Sequence, residues 1–274
     1  MWDFEHAPLN EALEKRYRIE RMTPSECAAR LADGRADIGL IPIASLATTA
    51  GLRILPGCTI AAKGNVRSLI LVHRANQPLN KLRSVAADTA SRTTLVYARM
   101  MFHKWGNAEV PFLSMAADLD TMLEHADAAI LIGDPALLAL EERNNQFERT
   151  GEELVYLDLA EEWRKLTGLA FVSAVWGIAP KTDALVAGVA RGTVIDQSVA
   201  EDFIRSRDHG LANIDALAAE WSARFPIPEE TIQTYLTTNI HYVLDEECVE
   251  GMRGFFRMAA EYGILPEYEL VVSG

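Results

Sequence analysis

Three stretches of the sequence place hydroxyl groups and backbone amides directly after short apolar runs that predict buried strands. They are Pro42-Ile43-Ala44-Ser45, Asp88-Thr89-Ala90-Ser91-Arg92-Thr93-Thr94 and Gly133-Asp134-Pro135-Ala136. In open α/β sheets, ligands lie outside the carboxyl ends of strands, where free N–H groups at helix amino termini favour anions. Serine and threonine are also common helix caps, so one such turn alone is more often structural. Two or three such turns, each at the end of a different predicted strand, favour a site for a carboxylate.

Three further side chains in or near these stretches have two interpretations each. Arg92 could clamp a carboxylate, or it could pair with Asp88 and rigidify the turn. Ser68 could point its hydroxyl into a cleft, or it could be an ordinary strand serine. Asp134 caps a helix by default, and it could orient a substrate hydroxyl if it faces a cleft.

The sequence offers little for metal, redox or nucleophilic chemistry. Its six histidines show no paired ligand spacing, and its three cysteines are scattered, which favours small buried side chains. It also contains no nucleophile elbow, Walker loop or dinucleotide fingerprint. We therefore expect no metal and no cofactor.

The charge balance excludes several classes of partner. The 274 residues carry a net charge of −13, a field that repels nucleic acid and anionic lipid. An anionic ligand must therefore be held by locally aimed donors. The sequence begins without a basic segment followed by an apolar run, and no apolar stretch reaches the roughly 18–20 residues of a membrane span, so we expect a cytoplasmic protein.

Short apolar runs alternate with helical patterns, which predicts an α/β fold with mainly parallel strands. Thr23 and Glu26 form a capping box that predicts a helix, and residues 36–43 then read as a buried strand. The segments RILPG, CTIAAKG and VRSLILVHR read as three more strands.

The middle of the chain reads as one α/β unit inserted into another. We predict a first lobe of residues 1–75 and 177–274, a second lobe of residues 82–173, and a ligand cleft between them. Crossings near residues 73–82 and 172–177 would supply two connecting strands. Hinge-closing binding proteins are connected in this way.

Longer motifs then occur in an order that resembles one known family, the MqnA-type chorismate dehydratases. The resemblance extends from about Thr23 to Tyr262, and the Asp-Thr-x-Ser-Arg-Thr turn and the Ile-Gly-Asp-Pro-Ala-Leu stretch are its most specific parts. The matching segments are PSECAARLADGRADIGLIPIASLA, GNVRSLILVHR, VAADTASRTTLV, ADAAILIGDPALL, DLAEEWRKLTGLAFVSAVW and YLTTNIHYVLDEE.

The resemblance implies a two-lobed, type 2 periplasmic-binding-protein-like fold used as an enzyme. Such hydro-lyases convert chorismate to 3-[(1-carboxyvinyl)oxy]benzoate and water in menaquinone biosynthesis by the futalosine pathway. The partner would be this small dicarboxylate, and the protein would act as a monomer or homodimer. By position, the residues placed around the ligand are Ser45, Ser68, Thr89, Ser91, Arg92, Thr93, Gly133 and the catalytic candidate Asp134.

One departure from the family concerns the beginning of the sequence. The family has a first strand and a Tyr-Leu-Asn-x-x-Pro-Leu loop whose asparagine reaches the substrate. If Ala7-Pro8-Leu9 aligns with the end of that loop, Glu5 takes the place of the asparagine and becomes a second catalytic candidate. If residues 2–6 instead align with the following helix, the strand and loop lie upstream of Met1. We favour the second alignment on the spacing of Trp2, Phe4 and His6.

Two other functions are compatible with the same sequence. The first is a non-catalytic binding protein for a small carboxylate, which needs hydroxyls and amides but no acid–base group. The second is a regulator that senses an aromatic precursor. Incubation with chorismate distinguishes turnover from binding alone.

Overall fold

The structure, a computed structural model, describes residues 1–88, 92–180 and 197–271. Its strands form two sheets, one of four strands in the order β1-β8-β2-β9 and one of five in the order β5-β4-β6-β3-β7. The strands are β1 (Ile38–Pro42), β2 (Arg53–Ala62), β3 (Leu69–Arg74), β4 (Val85–Ala87), β5 (Phe112–Ser114), β6 (Ala128–Ile132), β7 (Leu154–Asp158), β8 (Phe171–Ile178) and β9 (His241–Val243).

Helices cover the sheets and join them. They are α1 (Trp2–Glu5), α2 (Asn10–Glu14), α3 (Pro24–Ala32), α4 (Ala44–Thr48), α5 (Arg92–Lys104), α6 (Leu119–His125), α7 (Asp134–Thr150), α8 (Leu159–Thr167), α9 (Gln197–Ala212), α10 (Ile214–Ser222), α11 (Glu229–Thr234) and α12 (Glu246–Glu261). A π-helical turn, Tyr235–Asn239, follows α11. None of the described helices combines the length and apolar character that crossing a bilayer requires.

The expectation of mainly parallel strands was wrong. Among the described strands, β3 pairs antiparallel with β6 and β7, and β8 pairs antiparallel with β1 and β2. Parallel pairing is confined to β4 with β5 and β6. The reason is topological, because β3 enters the second sheet from the first and β8 returns. Each of these two strands is therefore antiparallel to its neighbours. A continuous apolar stretch of sequence does not show the direction of a strand.

The two crossings between the sheets also differ from expectation. The chain leaves the first sheet after Ala62 and joins the second at Leu69, so the first crossing precedes residues 73–82. The return lies between Thr167 and Phe171, where α8 ends and β8 begins. The lobe limits stay a prediction, and the sheet membership of β3 and β8 leads us to propose limits near residues 68 and 170. RILPG and CTIAAKG, read as two strands, form the single strand β2.

Local signals in the sequence were more reliable. Thr23 and Glu26 form the predicted capping box at the start of α3. Asp118 accepts a hydrogen bond from the Thr121 backbone and caps α6. These signals succeed because the interacting groups lie within four residues of each other.

One hydrophobic core joins the two sheets, and Tyr97 of α5 lies at its centre. The core includes residues from β1 and β8 of the first sheet and from β3 and β6 of the second. The fully buried Tyr97 hydroxyl donates to the Val172 carbonyl at 3.3 Å and accepts from the Val172 amide at 3.2 Å. Its ring stacks on Phe171 at 4.0 Å between centroids and contacts Trp163 and Phe255. Tyr97 therefore connects α5, which packs on the second sheet, to β8 of the first sheet. We call this connection the joint between the lobes.

Replacing Tyr97 by phenylalanine tests this joint. We expect the free energy of unfolding to fall by about 1–3 kcal/mol, because both backbone groups of Val172 lose a buried partner. Chemical denaturation followed by circular dichroism measures the change. Tyr262→Phe is the matched control, since that half-buried ring stacks on His103, and it should change stability by less than about 0.5 kcal/mol. Equal effects of the two variants would show that the Tyr97 hydroxyl does not hold the joint.

Candidate functional site

The predicted site residues gather along one edge of the second sheet. Strands β4 and β6 run parallel and end at this edge, and β3, which is antiparallel to β6, begins there. The register pairs Leu69 with Ile132, so Ser68 and Gly133 are neighbours immediately beyond the sheet. Thr93 follows β4 in the first turn of α5. The edge therefore carries α5, Gly133 and Ser68 in that order across the sheet.

The first contact with the other lobe is made by Thr93. The side chain of Thr93 is fully buried, and its hydroxyl oxygen accepts a hydrogen bond from the Ala44 amide at 3.2 Å. Ala44 is the first residue of α4, immediately before Ser45. Ser45 is 1% exposed, and its hydroxyl oxygen has no hydrogen-bond partner among the described residues. A buried hydroxyl without a partner is costly, and a ligand atom is one partner that would satisfy Ser45.

The second contact joins Ser68 to Tyr235 of the π-helical turn. The Tyr235 hydroxyl donates to Ser68 Oγ at 3.0 Å, and the Ser68 carbonyl accepts from the Gly133 amide at 2.7 Å. At the other end of the turn, Asn239 Nδ2 donates to the Asn65 carbonyl at 3.1 Å. The turn is thus docked onto the first crossing between the sheets.

Tyr235 also lies close enough to Asp134 for the carboxylate to affect its ionisation. Burial raises the pKa of the Tyr235 hydroxyl, the hydrogen bond to Ser68 lowers it, and the charge of Asp134 raises it further, with a net shift upwards. The hydroxyl is therefore protonated at neutral pH. A protonated hydroxyl beside a carboxylate is an arrangement that can serve acid–base chemistry.

The two contacts flank the position where β6 ends. Because β6 lies between β4 and β3, Gly133 falls between the Thr93–Ala44 contact and the Ser68–Tyr235 contact. Gly133 has a φ of 69°, a left-handed conformation that suits glycine, and it precedes the first residue of α7. We take the region between these contacts, at the end of β6, as the candidate ligand cleft.

The remaining candidates on this edge differ in how far the structure describes them. Arg92 is exposed at the first position of α5 and makes no ion pair with another described residue, so the structure does not support its pairing with Asp88. Thr89 and Ser91 lie outside the described residues. Asp134 is exposed and makes no capping hydrogen bond, because Gly133 occupies the cap position. The default capping role predicted for Asp134 was therefore wrong.

Glu5 lies in helix α1 and takes no part in the contacts described above. Residues 2–5 form helix α1. The helix is held on α9 by Asp3, whose buried carboxylate accepts from His209 at 2.8 Å and whose amide donates to the Ser206 hydroxyl at 3.0 Å. Glu5 is exposed and pairs with Arg21 at 2.7 Å. These contacts do not decide whether Glu5 is catalytic, and that role stays a prediction.

A cluster of possible metal ligands lies elsewhere and was missed in the sequence. The ligand atoms of His241, Asp245 and Cys248 lie within 4.8 Å of one another. The Lys63 ammonium lies 2.6 Å from Asp245 Oδ2, which His241 contacts at 2.9 Å. Burial raises the pKa of the Cys248 thiol to about 12, so the sulfur carries a proton at neutral pH. The cluster is organised as an ion-pair network at the start of α12.

Tyr235 and Asn239 are the site residues that sequence reasoning missed. Both belong to a stretch, YLTTNIHYVLDEE, that the resemblance included without assigning it a role. Tyr235 lies 167 residues from Ser68 in the chain. The π-helical turn itself could have been a signal, because such turns are frequent at functional sites, but it is visible only in the structure.

Comparisons with known proteins agree with this architecture. A sequence profile of the family described as "Menaquinone biosynthesis" matches residues 2–261. The chain is structurally similar to protein AF1704 from Archaeoglobus fulgidus, with a TM-score of 0.66, 14% identity, and coverage of 96% of this chain and 94% of that one.

Transport binding proteins share the fold. The periplasmic aliphatic sulphonate binding protein SsuA from Escherichia coli has a TM-score of 0.58 at 16% identity, covering 94% of this chain and 87% of that one. The alkanesulfonate-binding protein SsuA from Xanthomonas axonopodis pv. citri bound to MOPS has a TM-score of 0.60 at 12% identity, covering 94% and 88%. These likenesses show the periplasmic-binding-protein fold.

A double-mutant cycle tests the Ser68–Tyr235 contact. We expect Ser68→Ala, Tyr235→Phe and the double variant to give a coupling of about 0.5–1.5 kcal/mol in the free energy of unfolding, the usual net contribution of one hydrogen bond. Urea denaturation measures it. The control cycle pairs Tyr235→Phe with Ser222→Ala, because the exposed Ser222 hydroxyl bonds only within α10, and it should show no coupling. Equal coupling in both cycles would mean that the hydroxyls of Ser68 and Tyr235 do not interact.

Proposed function

The chain belongs to the menaquinone biosynthesis family, and we propose that within it the protein is a chorismate dehydratase of the futalosine pathway. It would convert chorismate to 3-[(1-carboxyvinyl)oxy]benzoate and water. The family match over residues 2–261 supports a role in this pathway, and the motifs quoted above resemble the dehydratases. The same proposal includes a cytoplasmic location and chemistry without a cofactor. It also includes action as a monomer or homodimer.

The observation that carries the proposal is the gathering of uncharged donors from both lobes at the end of β6. Ser45 offers an unpartnered hydroxyl, the first turn of α5 offers backbone amides, and Ser68 lies on the other side. Chorismate has two carboxylates, and a protein of net charge −13 provides no attractive field for them. Aimed dipoles at helix amino termini are the physical alternative. Thr89, Ser91 and Arg92 remain in the proposed binding set.

The reaction needs only positioning and proton transfer. A base removes the proton from the ring carbon that carries the enolpyruvyl ether, and the electrons of that C–H bond form the double bond that completes the aromatic ring. The neighbouring C–O bond breaks, and the hydroxyl leaves as water after receiving a proton. Asp134 is the proposed base. The Tyr235 hydroxyl, whose pKa is raised chiefly by burial, is the proposed proton donor.

Incubation of the purified protein with chorismate tests the function directly. We expect loss of chorismate and formation of an aromatic product lighter by one water, which liquid chromatography with mass detection resolves. A sample without protein corrects for spontaneous rearrangement. Tight binding of chorismate without turnover would replace the dehydratase with the non-catalytic carboxylate-binding protein. Absence of both would refute the assignment.

Two substitutions compare the catalytic candidates. Asp134→Asn should lower kcat roughly 10²–10⁴-fold with KM changed only a few-fold, because the amide cannot accept the ring proton. Glu5→Gln should leave kcat within about twofold of the wild type, since Glu5 pairs with Arg21 on the surface. Steady-state kinetics on chorismate measures both. A loss in Glu5→Gln as large as that in Asp134→Asn would favour the first alignment.

A further inference from the structure

The carboxylate of Asp158 connects two parts of the chain near the candidate cleft. Its Oδ1 accepts from the amides of Ala160 and Glu161, both at 3.0 Å, and thereby caps α8. Its Oδ2 accepts from the amides of Val66 at 2.8 Å and Arg67 at 2.6 Å, in the first crossing between the sheets. Both oxygens are thus engaged with backbone N–H groups.

The crossing adopts an unusual conformation at this point. Arg67 has a φ of 62°, and it is the one non-glycine among the described residues with a positive φ. Side chains with a Cβ are strained in this region, and such conformations persist where the surroundings impose them. The Arg67 side chain also pairs with Glu141 of α7 at 3.0 Å. The bonds from Asp158 to the amides of Val66 and Arg67 impose the conformation directly.

The residue that follows this strained position is Ser68. Its amide donates to the Val66 carbonyl at 2.8 Å, which closes a tight turn. Its carbonyl accepts from Gly133 and its hydroxyl accepts from Tyr235. The direction in which Ser68 presents its hydroxyl therefore depends on the shape of the turn formed by residues 66–68.

We propose that Asp158 is a positioning residue for the cleft, which holds the turn of residues 66–68 in the shape that sets Ser68, Tyr235 and Gly133 for catalysis. As far as turnover is concerned, this inference rests on the proposed function. Asp158 acts through Ser68 and does not itself contact the ligand.

Comparison with another helix cap separates this role from simple capping. Asp118 caps α6 with one oxygen at an exposed position, and hydrogen bonds from Thr121 lower its pKa. Burial raises the pKa of Asp158 even though four amide hydrogen bonds lower it. A raised pKa in the folded state means that this group favours folding below its ordinary pKa and loses that contribution as pH rises through the folded pKa. What sets Asp158 apart from Asp118 is geometry, because its second oxygen binds amides outside the helix that it caps.

Asp158→Asn and Asp118→Asn form a matched pair that tests the inference. Asparagine caps helices about as well as aspartate, so both variants should keep their helices. Only Asp158→Asn replaces one of two engaged oxygens with an amide nitrogen that cannot accept from Val66 and Arg67. We expect kcat/KM for chorismate to fall at least about tenfold in Asp158→Asn and to stay within about twofold of the wild type in Asp118→Asn. Should Asp158→Asn not fold, Asp158→Ser keeps one cap acceptor and should lose turnover to a similar extent.

A rescue experiment identifies the cause of the loss. Glycine adopts a positive φ without strain, so Arg67→Gly in the Asp158→Asn background should recover part of the lost kcat/KM. Loss of capping at α8 would not respond to a change at residue 67. The positioning role would be overturned if Arg67→Gly gave no recovery and if Asp158→Asn had the same kcat/KM as Asp118→Asn.

Hydrogen exchange gives a readout that does not depend on the reaction. In the ligand-free protein, Asp158→Asn should speed amide exchange at Gly133 and at residues 66–68, while Asp118→Asn should not. If the wild type does not turn over chorismate but this difference appears, the proposed function fails and the positioning of Ser68 stands. If the wild type is active and exchange at these amides is unchanged in Asp158→Asn, the positioning inference fails alone.

Discussion

Within the core shared by the two sheets, one buried hydroxyl, that of Tyr97, bonds α5 directly to a strand of the first sheet. It occupies both backbone groups of Val172, at the end of β8 where that strand enters the first sheet. Thr93 lies four residues earlier on α5, so both side chains project from the same helical face. One face of α5 therefore carries the joint between the lobes and, one turn away, the contact with Ala44. A shift of this helix would change the joint and the cleft together.

The sequence predicted those features that neighbouring residues determine. The capping box of Thr23 and Glu26 involves residues only three apart. The gathering of Thr93 and Gly133 is not local, and it was predicted from the general rule that parallel strands such as β4 and β6 end at the same edge of a sheet. The directions of β3 and β8 could not be predicted, because apolar runs carry no sign of direction. Tyr235 was missed because its partner Ser68 is distant in the chain and is reached only when the π-helical turn docks on the crossing.

The turn at Arg67 shows why local rules fail at such a site. Sequence rules assign positive φ to glycine or asparagine, and nothing about an arginine predicts it. At this conformation Asp158, more than ninety residues away, accepts hydrogen bonds from the amides of Val66 and Arg67. A tertiary contact thus overrides local preference where the chain passes between the lobes. Departures of this kind concentrate at functional sites.

The scarcity of positive charge has a consequence for how the proposed ligand would be bound. Lys63 and Arg67, the basic residues in the crossing, are paired with Asp245 and Glu141, and the net charge of the protein is −13. Hydroxyls and amides interact with a carboxylate more weakly than a guanidinium does. Two carboxylates would therefore draw on donors from both lobes at once, and the hydroxyls and amides of one lobe alone would bind weakly. Because that interaction is gained only when the lobes are together, the binding energy of the ligand would itself favour the closed state. In an acidic protein of this fold, specificity for a small dicarboxylate and closure of the cleft would then have the same physical origin.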